Sequence, residues 1–258
     1  MKVERECKIV SKEQVGDAVY MTLEVGDMIR ASFRAPGQFV HIRCGEGLLL
    51  RRPISVCSCM EDEPDDLLSI VFEVRGEGTR WLAGRELGDS LDVLGLAGNG
   101  FDLKPEGRYL LVGGGIGIPP MLGCAQYTGG RATAILGGRS RDKIILEDFF
   151  REDCAKVLCA TDDGSLGHHG FVDALVRREL SEDRGYDGVL ACGPKPMLRN
   201  VAKVAEEFGI PCQVSMEERM GCGVGACLVC ACDMADGSRK HVCKDGPVFD
   251  SREVDWDA

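Results

Sequence analysis

Two kinds of hydrophobic patterning divide the chain. In the first part, the runs at residues 19–25 and 67–74 read as strands, the second rich in β-branched residues. Pro36-Gly37 and Gly45-Glu46-Gly47 punctuate them as turns. Short strands between such turns predict an antiparallel β-barrel over residues 1–102, with one short helix after Gly76-Glu77-Gly78-Thr79. The pattern changes past Lys104-Pro105-Glu106-Gly107. Tyr109-Leu110-Leu111-Val112 is a short apolar run ending in glycines, as a buried parallel strand would be. Further apolar runs at 132–136, 156–160 and 188–192 alternate with helical segments, among them 170–180 and 196–208. That alternation predicts an α/β domain with a parallel sheet over residues 103–210. From 211 to 258 neither period holds, and glycine and cysteine dominate. The expected fold is multidomain α+β: barrel, parallel-sheet domain, and a small C-terminal module.

Charge removes some functions. The formal net charge of −11 argues against nucleic acid, whose phosphates need a concentrated positive surface. No Lys/Arg cluster suits an anionic membrane, and no apolar stretch approaches the ~20 residues that span a bilayer. Met1 to Glu6 mix charges with no apolar stretch behind them, so no secretory signal is expected and the location reads as cytoplasmic.

Fourteen cysteines change the picture. Nine are scattered between residues 7 and 212 in mostly apolar settings and read as small buried hydrophobes. The other five crowd into residues 222–243. Cys222, Cys227 and Cys230 form C-x4-C-x2-C, and Cys243 follows, the spacing by which four thiolates hold a plant-type [2Fe-2S] cluster. Gly221, Gly223 and Gly225 let the backbone wrap closely and aim N–H groups at sulfur. A four-cysteine zinc site usually shows two C-x2-C pairs, and only one is present. Cys232 is a fifth candidate that could replace Cys230 or Cys243.

Gly113-Gly114-Gly115-Ile116-Gly117 follows a strand and ends in Pro119-Pro120, a glycine turn through which N–H groups can approach a pyrophosphate. Its spacing is G-x-G-x-x-P rather than G-x-G-x-x-G, and alone it is weak. Cys192-Gly193-Pro194 also ends a strand and opens a helix, so two helix N-termini are expected at one sheet edge. In the barrel half, Arg51-Arg52-Pro53-Ile54-Ser55 precedes the Gly76–Thr79 segment, and together these could hold a second pyrophosphate.

In this order of motifs the chain resembles the ferredoxin–NADP reductase superfamily, and within it the electron-transfer subunits of class 1B dihydroorotate dehydrogenases. Arg52 to Ser55, Thr161-Asp162-Asp163-Gly164-Ser165, and Met216-Glu217-Glu218-Arg219-Met220 leading into Gly221 to Cys227 carry that resemblance over essentially the full length. It implies that Arg52, Pro53, Ile54, Ser55, Val71, Phe72 and Glu73 line FAD. Gly78 and Thr79 would hold its pyrophosphate. Gly113, Gly114, Gly115, Gly117, Cys192, Gly193 and Pro194 would receive NADH, and Cys222, Cys227, Cys230 and Cys243 would be the cluster ligands. Asp162 and Asp163 stand where NADP-using relatives place Ser and Arg, so NAD is expected over NADP.

The implied role is NADH-dependent electron transport in pyrimidine biosynthesis. FAD and the cluster would relay electrons to an FMN-containing catalytic subunit that oxidises dihydroorotate to orotate, in a heterotetramer with two of each subunit. No general acid or base is expected, and His168 and His169 read as solvated. Sulfide dehydrogenases, ferredoxin–NADP transhydrogenases and hydrogenases use similar modules and remain alternatives, as does a non-enzymatic redox sensor.

Overall fold

Six strands close into an antiparallel barrel: β1 (Val3–Val15), β2 (Ala18–Glu24), β3 (Phe39–Ile42), β4 (Arg52–Met60), β5 (Leu67–Glu73) and β6 (Ser90–Ala97), in the order β1-β2-β5-β4-β3-β6. The structure is a computed structural model and describes residues 3–61 and 65–258; Met1 and Lys2, part of the N-terminal segment read above, lie outside the described residues. Two short helices accompany the barrel, α1 (Met28–Ser32) and α2 (Glu77–Ala83).

Side chains alternate across a strand, so every second residue enters the barrel. Val19, Met21 and Leu23 of β2, Val40 and Ile42 of β3, Ile54 and Val56 of β4, and Ile70 and Phe72 of β5 share that interior. The outward residues of the same strands are not all solvated. Cys57 and Val71 join the core of the second domain, and Phe39 joins a third core that includes Cys230 and Cys243. All four residues of β3 are buried, because its second face is covered by the C-terminal segment.

The second domain comprises β7 (Tyr109–Gly114), α3 (Pro119–Tyr127), β8 (Thr133–Gly138), α4 (Glu147–Asp153), β9 (Lys156–Thr161), β10 (His168–His169), α5 (Val172–Glu182), β11 (Gly188–Cys192) and α6 (Lys195–Phe208). Its strands are parallel. Leu111, Ala134, Leu136 and Leu190 face α3 and α4 through Met121, Leu122 and Phe150. Leu110, Val112, Ile135 and Val189 face α5 and α6 through Leu175, Val176, Leu198 and Val201. Burial on both faces is why these strands read as continuous apolar runs rather than alternating ones.

Past residue 210, where no regular period was expected, four short strands form: β12 (Cys212–Ser215), β13 (Ala231–Asp233), β14 (Arg239–His241) and β15 (Val248–Asp250). Strands of three or four residues are too short to display a period. β12 extends the parallel sheet beside β11 and β15 adds antiparallel to β12, giving the order β10-β9-β8-β7-β11-β12-β15. The C-terminal segment also grips the barrel. Asn99 N donates to Gly246 O at 2.6 Å, and Asn99 Nδ2 reaches Asp245 O at 3.1 Å.

Candidate functional site

Residues 216–230 run without helix or strand, and their backbone amides turn toward sulfur. Cys222 Sγ accepts from the N–H groups of Ala226 (3.2 Å), Val224 (3.4 Å) and Cys227 (3.4 Å). Cys227 Sγ accepts from Cys222 N at 3.4 Å, Cys243 Sγ from Gly225 N at 3.2 Å, and Cys230 Sγ from Cys243 N at 3.4 Å. Gly223 and Gly225 adopt φ of +67° and +80°, a left-handed backbone open chiefly to glycine, and this turns the successive amides inward.

The sulfurs stand in two pairs, Cys222 beside Cys227 and Cys243 beside Cys230. Burial raises the Cys222 thiol, but the amides of Val224, Cys227 and Ala226 outweigh it and bring the thiol down to about 6. Burial, and then the neighbouring Cys230, push Cys243 up to about 12. Among the described residues no three or more His, Cys, Asp or Glu side chains are arranged to hold a single metal ion. Two sulfur pairs with amides aimed at each suit two irons, and so fit a 2Fe-2S cluster. Cys232 is buried on β13, its Sγ directed at Asp233 O at 3.8 Å, and no backbone amide donates to it among these bonds.

On the barrel, β3 and β4 pair with Ile42 opposite Arg52, His41 opposite Pro53, and Phe39 opposite Ser55. The two arginines of the motif part company. Arg51 is a brace: it donates to His41 O at 3.3 Å and Asp92 O at 3.0 Å, and pairs with Asp92 and Glu4. Arg52 instead lies against the start of α2, where a Cβ on Gly78 would fall 2.3 Å from its Nε. A guanidinium fixed against a glycine at a helix start fits the phosphates of FAD. Ile54 and Phe72 point into the barrel core, while Ser55 and Glu73, next along their strands, stay half-buried. Thr79 Oγ1 accepts from Arg75 N at 2.9 Å and Gly76 N at 3.2 Å, closing the turn before α2. Val71 packs with Ile118 and Met121 in the second domain's core, and β5 runs beside the Gly115–Gly117 turn.

At the sheet edge, Gly113 and Cys192 are register partners across β7 and β11, so the two glycine turns lie side by side. A Cβ on Gly117 would fall 2.4 Å from Cys192 O, and one on Gly114 2.4 Å from Met197 Sδ. Gly193 is equally crowded by Met197 Cε at 2.6 Å. Gly115, at φ +56°, faces open space, which is where a dinucleotide phosphate could approach. The turn thus fits a nucleotide, though Gly117 is required by the backbone of the second loop and Gly113 by Ile118 of its own. Burial pushes the Cys192 thiol up to about 12, leaving it neutral. Asp162 is exposed after β9, with its N–H on Gly138 O at 3.1 Å. Asp163 is committed to its loop, accepting from Ser165 N at 2.9 Å and Ser165 Oγ at 2.6 Å. His168 and His169 are exposed on β10.

The structure therefore brings the barrel motif, the paired glycine turns and the cysteine loop around one side of the barrel. Sequence reasoning passed over Arg51 as a brace and His41, buried against the cysteine loop. Only their burial sets them apart, and no local pattern could have signalled it.

Residues 217–255 match the iron-sulfur cluster binding domain of dihydroorotate dehydrogenase B. The dihydroorotate dehydrogenase B (NAD(+)) electron transfer subunit of Caldanaerobacter subterraneus subsp. tengcongensis is 37% identical, over 98% of this chain and 99% of that protein. The corresponding subunit of Bacillus caldolyticus is 40% identical over 95% and 96%. The chain belongs to the family of dihydroorotate dehydrogenase B electron transfer subunits. As a member of that family it is an electron-transfer subunit of an oxidoreductase, and it works with a catalytic partner subunit. Among solved structures, an NADH-dependent reduced ferredoxin-NADP oxidoreductase studied for flavin-based electron bifurcation is 33% identical, with a TM-score of 0.85, over 98% of this chain and 91% of that one. A ferredoxin reductase of carbazole 1,9a-dioxygenase shares the fold at 20% identity and a TM-score of 0.65, over 81% and 67%. Among the described residues no helix is long and apolar enough to cross a membrane.

Proposed function

We propose that this electron transfer subunit draws on NADH and, with FAD and a 2Fe-2S cluster, supplies electrons to the FMN of a catalytic subunit that oxidises dihydroorotate to orotate. One observation carries the reading: adjacent barrel strands serve the three sites in sequence. β3 lies under the cysteine loop, β4 and β5 carry the flavin motif, and β5 meets the Gly115–Gly117 turn. When bound, the flavin would match the two-electron chemistry of a nicotinamide to the single electrons a two-iron cluster accepts.

The chain's own residues hold and orient. Arg52, with Pro53, Ile54 and Ser55, would hold FAD with Val71, Phe72, Glu73, Gly78 and Thr79; the Arg52 charge is its anchor for phosphate. Gly113, Gly114, Gly115, Gly117, Cys192, Gly193 and Pro194 would hold NADH, the neutral Cys192 thiol serving as a contact and not as a nucleophile. Cys222, Cys227, Cys230 and Cys243 would ligate the cluster, the Cys222 and Cys243 sulfurs steadied by the amides of residues 224–227 and the Cys227 and Cys230 sulfurs by the amides of Cys222 and Cys243. The chain divides its labour as FAD barrel (1–102), NAD domain (103–210) and cluster module (211–258). The assembly is two of each subunit, in the cytoplasm.

Asp162 favours NADH, because its exposed carboxylate would repel a 2′-phosphate. Asp162→Ser should raise kcat/KM for NADPH about tenfold, equivalent to relieving ~1.4 kcal/mol of repulsion. An unchanged NADH/NADPH ratio would remove Asp162 from this role.

The decisive experiment is an absorbance spectrum of the anaerobically purified chain before and after one equivalent of NADH, with iron and flavin assays. Bleaching of a flavin band and its broad shoulder, with two irons and one FAD per chain, is expected from the cofactor set. Zinc in place of iron, or a flavin that NADH leaves oxidised, would sink the reading. The isolated chain should reduce dyes with NADH and leave dihydroorotate untouched. The 33% identity to the ferredoxin-NADP oxidoreductase favours a second reading, the same relay serving a different partner. Electron delivery to a ferredoxin-linked partner, with none to a dihydroorotate-oxidising subunit, would establish it.

A further inference from the structure

Between the flavin strand and the cysteine loop stands a buried imidazole. His41 is fully buried on β3. Val40 and Ile42 on either side of it fill the barrel, while Phe39 joins the core that holds Cys230 and Cys243. Alternation therefore places His41 on the same outward side as Phe39. A Cβ on Gly223 would fall 2.4 Å from His41 Nδ1 and 3.1 Å from its Cε1, so the ring lies against the residue that follows Cys222. On its other flank His41 is the register partner of Pro53, next to Arg52 and Ser55. Opposed residues of an antiparallel pair project from one face with Cβ atoms ~4.5–5.5 Å apart. The strand is held there, since Arg51 binds the His41 carbonyl.

A ring that merely filled space here would be apolar, because a buried imidazole carries a desolvation cost unless its nitrogens find partners. Phe39, two residues earlier on the same side, shows that this interface accepts an apolar ring.

We propose that His41 is a positioning residue for electron transfer: it sets the cluster loop against the flavin strand through Gly223 and gives the cluster a polar neighbour that tunes its reduction potential. The inference rests on the flavin and cluster assignments above. Groups outside the ligand shell orient ligands and tune the metal in this way.

The test uses the full chain loaded with FAD and cluster. Iron content, the EPR spectrum of the reduced cluster and its reduction potential are compared in wild type, His41→Phe and His41→Gln. His41→Phe keeps a ring but not its polar edge. It should lower the potential, alter the EPR spectrum and weaken iron retention about tenfold, and His41→Gln should recover part of each. Gly223→Ala should lose iron through its left-handed backbone and through the clash with His41, and His41→Ala in that background should restore the part due to the clash. Should His41→Phe fail to fold, His41→Gln and the Gly223→Ala pair decide by the same readouts. Wild-type EPR and potential in the His41 variants, or an iron loss in Gly223→Ala that His41→Ala leaves unchanged, would overturn the role of His41. A wild-type chain holding zinc would instead overturn the functional reading, and the inference with it, so the two failures are distinct.

Discussion

The loop at residues 113–117 and the loop at 221–227 are both rich in glycine, yet their glycines answer different needs. In the first, side chains are excluded by packing: Gly117 lies against the Cys192 carbonyl of the neighbouring strand end and Gly114 against the Met197 side chain of α6. In the second, Gly223 and Gly225 permit a left-handed path that aims amides at sulfur. Their cysteines diverge accordingly. Cys192, half-buried at the first loop, is pushed up to about 12, while Cys222, ringed by N–H donors, comes down to about 6. A glycine cluster therefore identifies a ligand loop only once it is known what each glycine avoids. Most of the nucleotide loop is packing and one position is open, whereas the cysteine loop is arranged around its sulfurs.

The largest effect that could break this contrast is on iron. Cys230→Ser should lower iron per chain by more than about tenfold, since a thiolate ligand is lost outright, whereas Cys232→Ser should leave it unchanged. The reverse outcome, measured by iron assay, would mean that Cys232 belongs to the sulfur set.

A smaller effect sharpens the packing side. Gly117→Ala drives a methyl into the Cys192 carbonyl, and overpacking of this kind costs about 1–3 kcal/mol, with or without NADH. Gly115→Ala meets open space and bears only a left-handed backbone cost of about 1–2 kcal/mol, but its methyl would lie in the path of the nucleotide. Gly117→Ala should therefore show the greater fall in Tm, and Gly115→Ala the greater rise in KM for NADH. Reversed orders in thermal melts and steady-state kinetics would erase the distinction between the loops.

The smallest effect is read by pH in the cluster-free chain. Alkylation of Cys222 should reach half its limiting rate near pH 6, while Cys192 stays unreactive up to about 12. The folded-state value of Cys222 lies below the ordinary 9.0, so its stabilising contribution is present above 9 and fades as pH falls through about 6. For Cys192 the value is raised, so its contribution is present below 9 and is lost as pH climbs through about 12. Equal alkylation of both thiols at pH 7, read by mass spectrometry, would show that the amides around Cys222 do not act on its sulfur.

Much of this was legible beforehand. The apolar runs ending in Val112 and Cys192 marked buried parallel strands, because burial on both faces makes them continuously apolar and each is short and stops at a glycine turn. The C-x4-C-x2-C spacing marked the sulfur set, because ligation of a compact cluster requires close cysteines. Less was legible in the C-terminal segment. β12 and β15 are too short to show a period, and they are strands only because β11 offers an edge for β12 and β12 then offers one for β15. Asp162 and Asp163 looked alike in sequence, yet Asp163 is spent on Ser165, while Asp162, in the same turn, is exposed.

The sequence by itself determined the three modules, their order, the sulfur spacing and the two strand-end turns, since each depends on neighbours a few residues apart. Only the tertiary structure decided how the modules meet. The barrel order that sets β3 beside β4 beside β5 comes from long-range pairing. So do the division of Arg51 and Arg52 into brace and anchor, and the burial of His41 against Gly223. Contacts between residues 41 and 223, or 52 and 78, leave no periodic trace in either segment. The first arises when hydrophobic burial folds the C-terminal segment onto the outward face of β3, the second when β4 pairs with β5, which leads into α2, and side-chain geometry then selects what can stand there.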